Sequence, residues 1–196
     1  DHEATKLLLL FGFVKIEDNG VVIANRIFET RLYNDILTSE EMKSTPISKA
    51  GAFDKPEFIK NGILDVELIL TKFITHFHEI YSDKPDKFIE EDGRKCFLIY
   101  LRPIINGVGN YYIETHTRDH RRMDIVIDYL GKRYIIELKI WHGKKYNEDG
   151  EQQLSDYLDF YGLKTGYLLT FNFNESKEIG IKTVKFDDKT LIEAIV

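Results

Sequence analysis

Arg122-Met123-Asp124-Ile125-Val126-Ile127-Asp128 and, after a short turn, Tyr134-Ile135-Ile136-Glu137-Leu138-Lys139 read as two apolar strands that carry charge inside a run that is otherwise core. Side chains alternate across a strand, so Glu137 and Lys139 share one face while Ile136 and Leu138 share the other. Burying an unpaired charge is expensive, and strands covered on both faces normally read as unbroken Val, Ile and Leu. A carboxylate and an ammonium here want a specific reason, and a divalent metal is one. Mg²⁺ takes oxygen ligands, usually one or two carboxylates completed by waters and a substrate phosphate oxygen, so Asp124 and Glu137 are a candidate pair of ligands. Lys139 faces the same way, where an ammonium can orient an attacking water or offset charge developing on phosphate. Those are the parts of a phosphodiester hydrolase. Taken alone, the triad reads equally well as a strand that carries an ion pair.

The surroundings have a definite order. Residues 88–105 read as a helix, with Phe97, Leu98, Leu101 and Ile104 or Ile105 at helical spacing, and Asn106-Gly107 and Gly109 turn the chain into a strand at Tyr111-Tyr112-Ile113-Glu114. After the two charged strands come a loop over 143–150, a helix over 151–161 with Leu154, Leu158 and Tyr161 in register, and an apolar strand over 167–171. The expectation is helix, three strands, helix, strand: an α/β core with a central mixed sheet flanked by helices.

That order, with this triad and with Gln152-Gln153-Leu154 followed by Asp156-Tyr157-Leu158 on the later helix, resembles the PD-(D/E)XK nuclease superfamily. Pro103-Ile104-Ile105-Asn106-Gly107, Arg121-Arg122-Met123-Asp124, Ile136 to Trp141 and Gly166-Tyr167-Leu168-Leu169 look more closely like the C-terminal nuclease domain of a bacterial family whose N-terminal part is an AAA-type ATPase. The likeness covers roughly residues 85 to 185, and Val22 to Glu29 with Arg31-Leu32-Tyr33-Asn34 resembles the junction between the two parts. The resemblance implies a restriction-endonuclease-like fold, Asp124 and Glu137 as ligands of Mg²⁺ or Mn²⁺, and Lys139 as the catalytic lysine. It also implies a further acid from the preceding helix, Glu91 first and Glu90 next, and Gln153 or Gln152 as the polar residue of the later helix. Asp124 follows Met where the motif has Pro, a routine departure in so divergent a superfamily. Superfamily membership does not certify activity, so an inactive module that binds nucleic acid or regulates a partner ATPase is the alternative.

The rest of the chain sets bounds. With 196 residues, 43% of them hydrophobic, it can build one sizeable core with an appendage. The expected layout is an N-terminal hairpin and helix over 1–45, left from the ATPase junction, a linker over 46–62, and the nuclease-like domain over 63–196. The Pro, Gly and Ser of 46–56 suggest the linker, and residues 63–81 read as a helix. No apolar run approaches the ~20 residues that span a bilayer, no signal peptide is visible, and Cys96 stands alone among apolar neighbours, which together suggest a cytoplasmic protein without a membrane partner. The net charge of −6 opposes binding to phosphate in general. Arg118, Arg121, Arg122, Lys132, Arg133, Lys144 and Lys145 nevertheless gather in segments expected to flank the site, where they would grip nucleic acid, DNA in the first instance, or else be ordinary solvated turns. His116 and His120 have zinc-like spacing without a Cys or third His nearby, and His76 and His78 read as surface residues.

Overall fold

The charged strands form where their alternation places them, at the centre of one sheet. The computed structural model describes residues 2–17, 20–25, 28, 31, 32, 34, 35, 39–81, 88–116, 122–174 and 176–196. They fall into two units, Asp1–Lys43 and Ser44–Val196.

The first unit holds helix α1 (His2–Leu10) and a hairpin of β1 (Val14–Glu17) and β2 (Gly20–Ile23), with Val14 opposite Ile23 and Glu17 opposite Gly20. Residues 18 and 19, between the two strands, lie outside the described residues. A short helix α2 (Glu40–Lys43) follows Ser39, whose hydroxyl caps it by accepting the Met42 N–H, 3.3 Å.

The second unit begins with a correction. The stretch read as a linker over 46–62 is helix α3 (Pro46–Asp54), a 3-10 turn (Lys55–Glu57) and the first strand of a small hairpin, β3 (Ile59–Lys60) with β4 (Ile63–Leu64). Its Pro, Ser and Gly mark packing. Pro46 opens the helix behind a Thr45 cap that accepts the Ser48 N–H, 3.4 Å, and Ile47, Ser48, Gly51 and Asp54 make a buried face. A Cβ on Gly51 would lie 2.1 Å from the Tyr100 carbonyl oxygen, so glycine is what lets the two helices meet.

The helix expected from residue 63 starts at Val66, because Asp65 caps it by accepting the Leu68 N–H, 3.1 Å; it is α4 (Val66–Ile80). Helix α5 (Glu90–Ile105) then leads into β5 (Gly109–His116), β6 (Arg122–Tyr129) and β7 (Lys132–Ile140). Helix α6 (Lys144–Tyr161) crosses to β8 (Thr165–Phe171), and β9 (Gly180–Phe186) and β10 (Lys189–Ile195) finish the chain. The sheet has six strands in the order β5-β6-β7-β8-β10-β9, parallel from β7 to β8 and from β8 to β10 and antiparallel elsewhere. This is the expected mixed α/β sheet flanked by helices, consistent with a restriction-endonuclease-like fold.

The second expectation to fail is the loop over 143–150. Gly143 takes φ +114° and the helix starts at once; Asn147, 7% exposed, turns from water to the sheet, where it donates to Glu193 at 2.8 Å.

On one sheet face, Val126, Ile135, Leu168 and Leu191 pack beneath Leu154, Tyr157 and Leu158 of α6. On the other, Phe171 meets the rings of Phe73 and Phe77 from α4, at 6.3 and 5.4 Å between centroids, and Phe97 from α5 stands edge-on to Phe73 at 5.1 Å. Among the described residues, no helix is long and apolar enough to cross a membrane.

Candidate metal centre

The β6–β7 ladder runs from Tyr129 opposite Lys132 to Ile125 opposite Ile136. At the next step a side chain replaces the backbone acceptor: the Asp124 carboxylate accepts the Leu138 N–H through Oδ2 at 2.8 Å. Its other oxygen lies 3.7 Å from Nη1 of Arg94, which comes from α5. Glu137, 1% exposed, accepts the Lys139 ammonium on Oε1 at 2.8 Å, while its Oε2 is buried with no hydrogen-bond partner among the described residues.

These charges act on one another. Burial first, then the charge of Asp124, pushes the Glu137 carboxyl up to about 8, against the downward pull of Lys139. Burial pulls the Lys139 ammonium down, yet Glu137, Asp124 and Glu90 outweigh it and hold the lysine well above its ordinary value. Three acids, Asp124, Glu137 and Glu90, thus act on two cations, Lys139 and Arg94, and one buried Glu137 oxygen is left unmet among the described residues. Each buried unmet acceptor costs about 1–3 kcal/mol, and a cation on Oε2 would remove that penalty. Among the described residues no three His, Cys, Asp or Glu side chains converge as a complete cage. A pair of carboxylates completed by water is nonetheless the ordinary donor set for Mg²⁺, so the residues present fit a divalent ion of that class.

Two helices close the site. From α5, Glu90 acts on both Glu137 and Lys139, and Arg94, one helical turn on, reaches Asp124. The side chain of Glu91, the first choice for a third acid, lies outside the described residues; Glu90, the second choice, acts on the charges of the site. From α6, Gln153 donates to the Tyr157 hydroxyl at 2.6 Å, and Tyr157 is pushed up to about 12 by burial and by Glu137 and Asp124, against the lowering bond from Gln153. Gln152 is exposed and bonds Asp156 at 3.0 Å, which separates the two glutamines. A Cβ on Gly150 would lie 3.2 and 3.3 Å from Cγ and Cε of Lys139, so the helix backbone walls in the lysine stem.

A profile of the PD-(D/E)XK nuclease superfamily matches residues 68–184. The chain belongs to this superfamily. The matched span opens inside α4 and closes inside β9, so it holds Asp124, Glu137, Lys139, Gln153 and both flanking helices. No curated protein and no solved structure gives a significant match.

Other residues of this PD-(D/E)XK domain fall less neatly. Arg118 and Arg121 lie outside the described residues, and so do the side chains of Arg122 and Lys144; Lys145 is exposed on the first turn of α6, near the end of β7 that carries Lys139. Lys132 and Arg133 do not flank the site. They start β7, five and four residues before Glu137, roughly 13–17 Å away at 3.3 Å per residue, where Arg133 pairs with Asp128 at 3.9 Å and lies over the Tyr161 ring at 4.6 Å.

His120 lies outside the described residues. His76 is no free surface residue: its Nε2 lies 2.7 Å from Asp54, whose carboxylate also accepts the Tyr100 hydroxyl at 3.2 Å, so the pair ties α3 to α4 and α5. Sequence reasoning missed Arg94 and Gly150. Helical spacing from Glu90 would have found the first, while nothing short of the fold shows that a helix crosses the lysine.

Proposed function

We propose that the second unit is a Mg²⁺- or Mn²⁺-dependent nuclease domain that hydrolyses phosphodiester bonds of nucleic acid, with DNA as its substrate. The observation that carries the reading is the pair of buried carboxylates, Asp124 and Glu137, set beside Lys139 with one oxygen unmet. A divalent ion held there supplies a water acidic enough to give hydroxide near neutral pH. Asp124 and Glu137 hold it, with Glu90 or Glu91 as the third acid. Lys139, kept as an ammonium by its acidic neighbours, orients the attacking water and offsets charge building on the phosphate. Arg94 fixes Asp124, and Gln153 with Tyr157 closes the α6 side of the site. Arg118, Arg121, Arg122, Lys144 and Lys145 grip the phosphodiester backbone on either side of the cut.

The first unit supports a further part of this proposal. Leu10, Phe11 and Ile16 are 79, 68 and 71% exposed, and Leu7, Phe13 and Val21 are exposed as well. So many apolar side chains in a small unit favour contact with another protein part, the AAA-type ATPase implied by the resemblance.

The test is cleavage of linear and circular duplex DNA, single-stranded DNA and RNA with Mn²⁺ or Mg²⁺, against EDTA, Lys139→Ala and Glu137→Ala. Metal-dependent cutting that both substitutions abolish, with Mn²⁺ still bound by Lys139→Ala, supports the nuclease and names its substrate. Mn²⁺ binding without cutting on any substrate would favour the inactive module that binds nucleic acid or regulates the ATPase.

A further inference from the structure

Register places Glu137, Leu168, Glu193 and Lys182 in one row across the sheet, on β7, β8, β10 and β9 in turn. Glu193 is therefore a second buried carboxylate on the α6 face, 1% exposed and two strands from Glu137. It accepts a hydrogen bond from Nδ2 of Asn147 at 2.8 Å and is paired with Lys182. Asn147, itself 7% exposed, also donates to Glu151 at 3.1 Å and accepts the Thr170 hydroxyl at 3.5 Å. Thr170 stands beside Lys139 in the parallel β7–β8 register.

Stability alone is a poor reason for such a network. Buried charges and their partners seldom stabilise a fold more than well-packed apolar groups of similar volume, although breaking one half is strongly destabilising. Their use lies in direction: a hydrogen bond has one geometry, whereas leucine packing tolerates a slide. Positions 147, 150 and 154 lie on one face of α6. Asn147 is bonded to Glu193, Gly150 lies against Lys139, and Leu154 packs where a Cβ on Gly166 would come within 2.9 Å of it. The apolar contact at Leu154 sets the depth of the helix. The polar bond at Asn147 sets where its first two turns rest, and with them the wall of the lysine channel.

We infer that Asn147 and Glu193 are positioning residues: their hydrogen bond holds the first two turns of α6 so that Gly150 confines the Lys139 ammonium against Glu137. The placement follows from the contacts alone, whereas its consequence for catalysis rests on the nuclease reading.

The experiment is a short pulse of acetic anhydride on the full chain in EDTA, with mass spectrometry reading modification of Lys139 relative to exposed Lys145. In the unaltered protein Lys139 is labelled several-fold less than Lys145. Asn147→Ala should raise labelling of Lys139 several-fold while the protein is still folded by circular dichroism. Glu193→Gln, which keeps an oxygen for Asn147, should leave labelling near its original level. If Asn147→Ala does not fold, the double substitution Asn147→Leu with Glu193→Leu replaces the pair by apolar groups and carries the same expectation. In parallel, cleavage of a dye-labelled DNA duplex with Mn²⁺ should slow on the order of tenfold or more in Asn147→Ala, the scale of misplacing a catalytic group, and little in Glu193→Gln. Unchanged labelling of Lys139 in folded Asn147→Ala or the folded double variant overturns the inference. Raised labelling in a protein whose unaltered form cuts nothing would retain the positioning role and sink the nuclease reading instead.

Discussion

Replacing Glu137 by Gln should make the metal-free protein more stable at alkaline pH, although it removes a residue at the centre of the site. The folded carboxyl titrates at about 8, some 3.5 above its ordinary 4.5, so the folded state binds this proton more tightly than the unfolded chain. The ionised carboxylate therefore costs nothing below pH ~4.5, costs more as pH rises from there to about 8, and keeps its full penalty above that. At roughly 1.4 kcal/mol for each unit, the full penalty is on the order of 5 kcal/mol. Gln removes it but weakens the Lys139 bond from charge-assisted to neutral, which returns about 1–2 kcal/mol. Lys139 is held above its ordinary value and stays charged from pH 5 to 9, so it adds no slope of its own. A net gain of about 3 kcal/mol corresponds to a Tm higher by roughly 6–12 °C in a chain of this size. Melts in EDTA at pH 5, 7 and 9 should show the gain at pH 9 and its loss at pH 5. Saturating Mn²⁺ at pH 9 should raise the Tm of the unaltered protein and leave Glu137→Gln nearly unmoved. A variant less stable at pH 9, or one whose advantage grows toward pH 5, would refute the claim that this carboxylate is buried at a penalty.

Gly150→Ala should separate stability from chemistry: alanine adds up to about 1 kcal/mol of helix propensity, while its Cβ would press on Lys139 at 3.2–3.3 Å, so the Tm should hold or rise as metal-dependent cleavage slows. A lower Tm with an unchanged rate would contradict the close approach. Asp54→Ala removes a carboxylate, 3% exposed, from His76 and Tyr100, and should cost about 1–3 kcal/mol and speed tryptic cleavage at Lys49. Unaltered melting and proteolysis would mean that α3 is the linker its composition suggests.

The sheet was legible because its signal is periodic. Ile125, Ile127, Ile136 and Leu138 alternate with Asp124, Val126, Glu137 and Lys139, and the structure buries all of them but the half-buried Lys139, the two sets on opposite faces, so the two strands and their shared charged face could be read without any contact being known. The element order survived for the same reason. What failed is what composition alone had to decide. Pro46, Ser48 and Gly51 are the residues of a linker and equally those of a capped helix that must approach another closely. Only the Tyr100 carbonyl beneath Gly51 distinguishes the two.

Residues 143–150 make the same point nearer the site. Gly-Lys-Lys-Tyr-Asn-Glu-Asp-Gly has the composition of an exposed turn, yet it spans the cap and first two turns of α6. Two of these residues are buried for reasons that lie far along the chain: Asn147 because Glu193 waits on the sheet 46 positions later, and Gly150 because Lys139 leaves no room for a side chain. Hydrophobic periodicity reports burial against apolar partners. A helix that seats on charges beside a functional group is invisible to it, since its buried positions are polar or bare. The sequence reading therefore broke down beside the lysine it had singled out, at the polar seat of α6 on which the positioning inference rests.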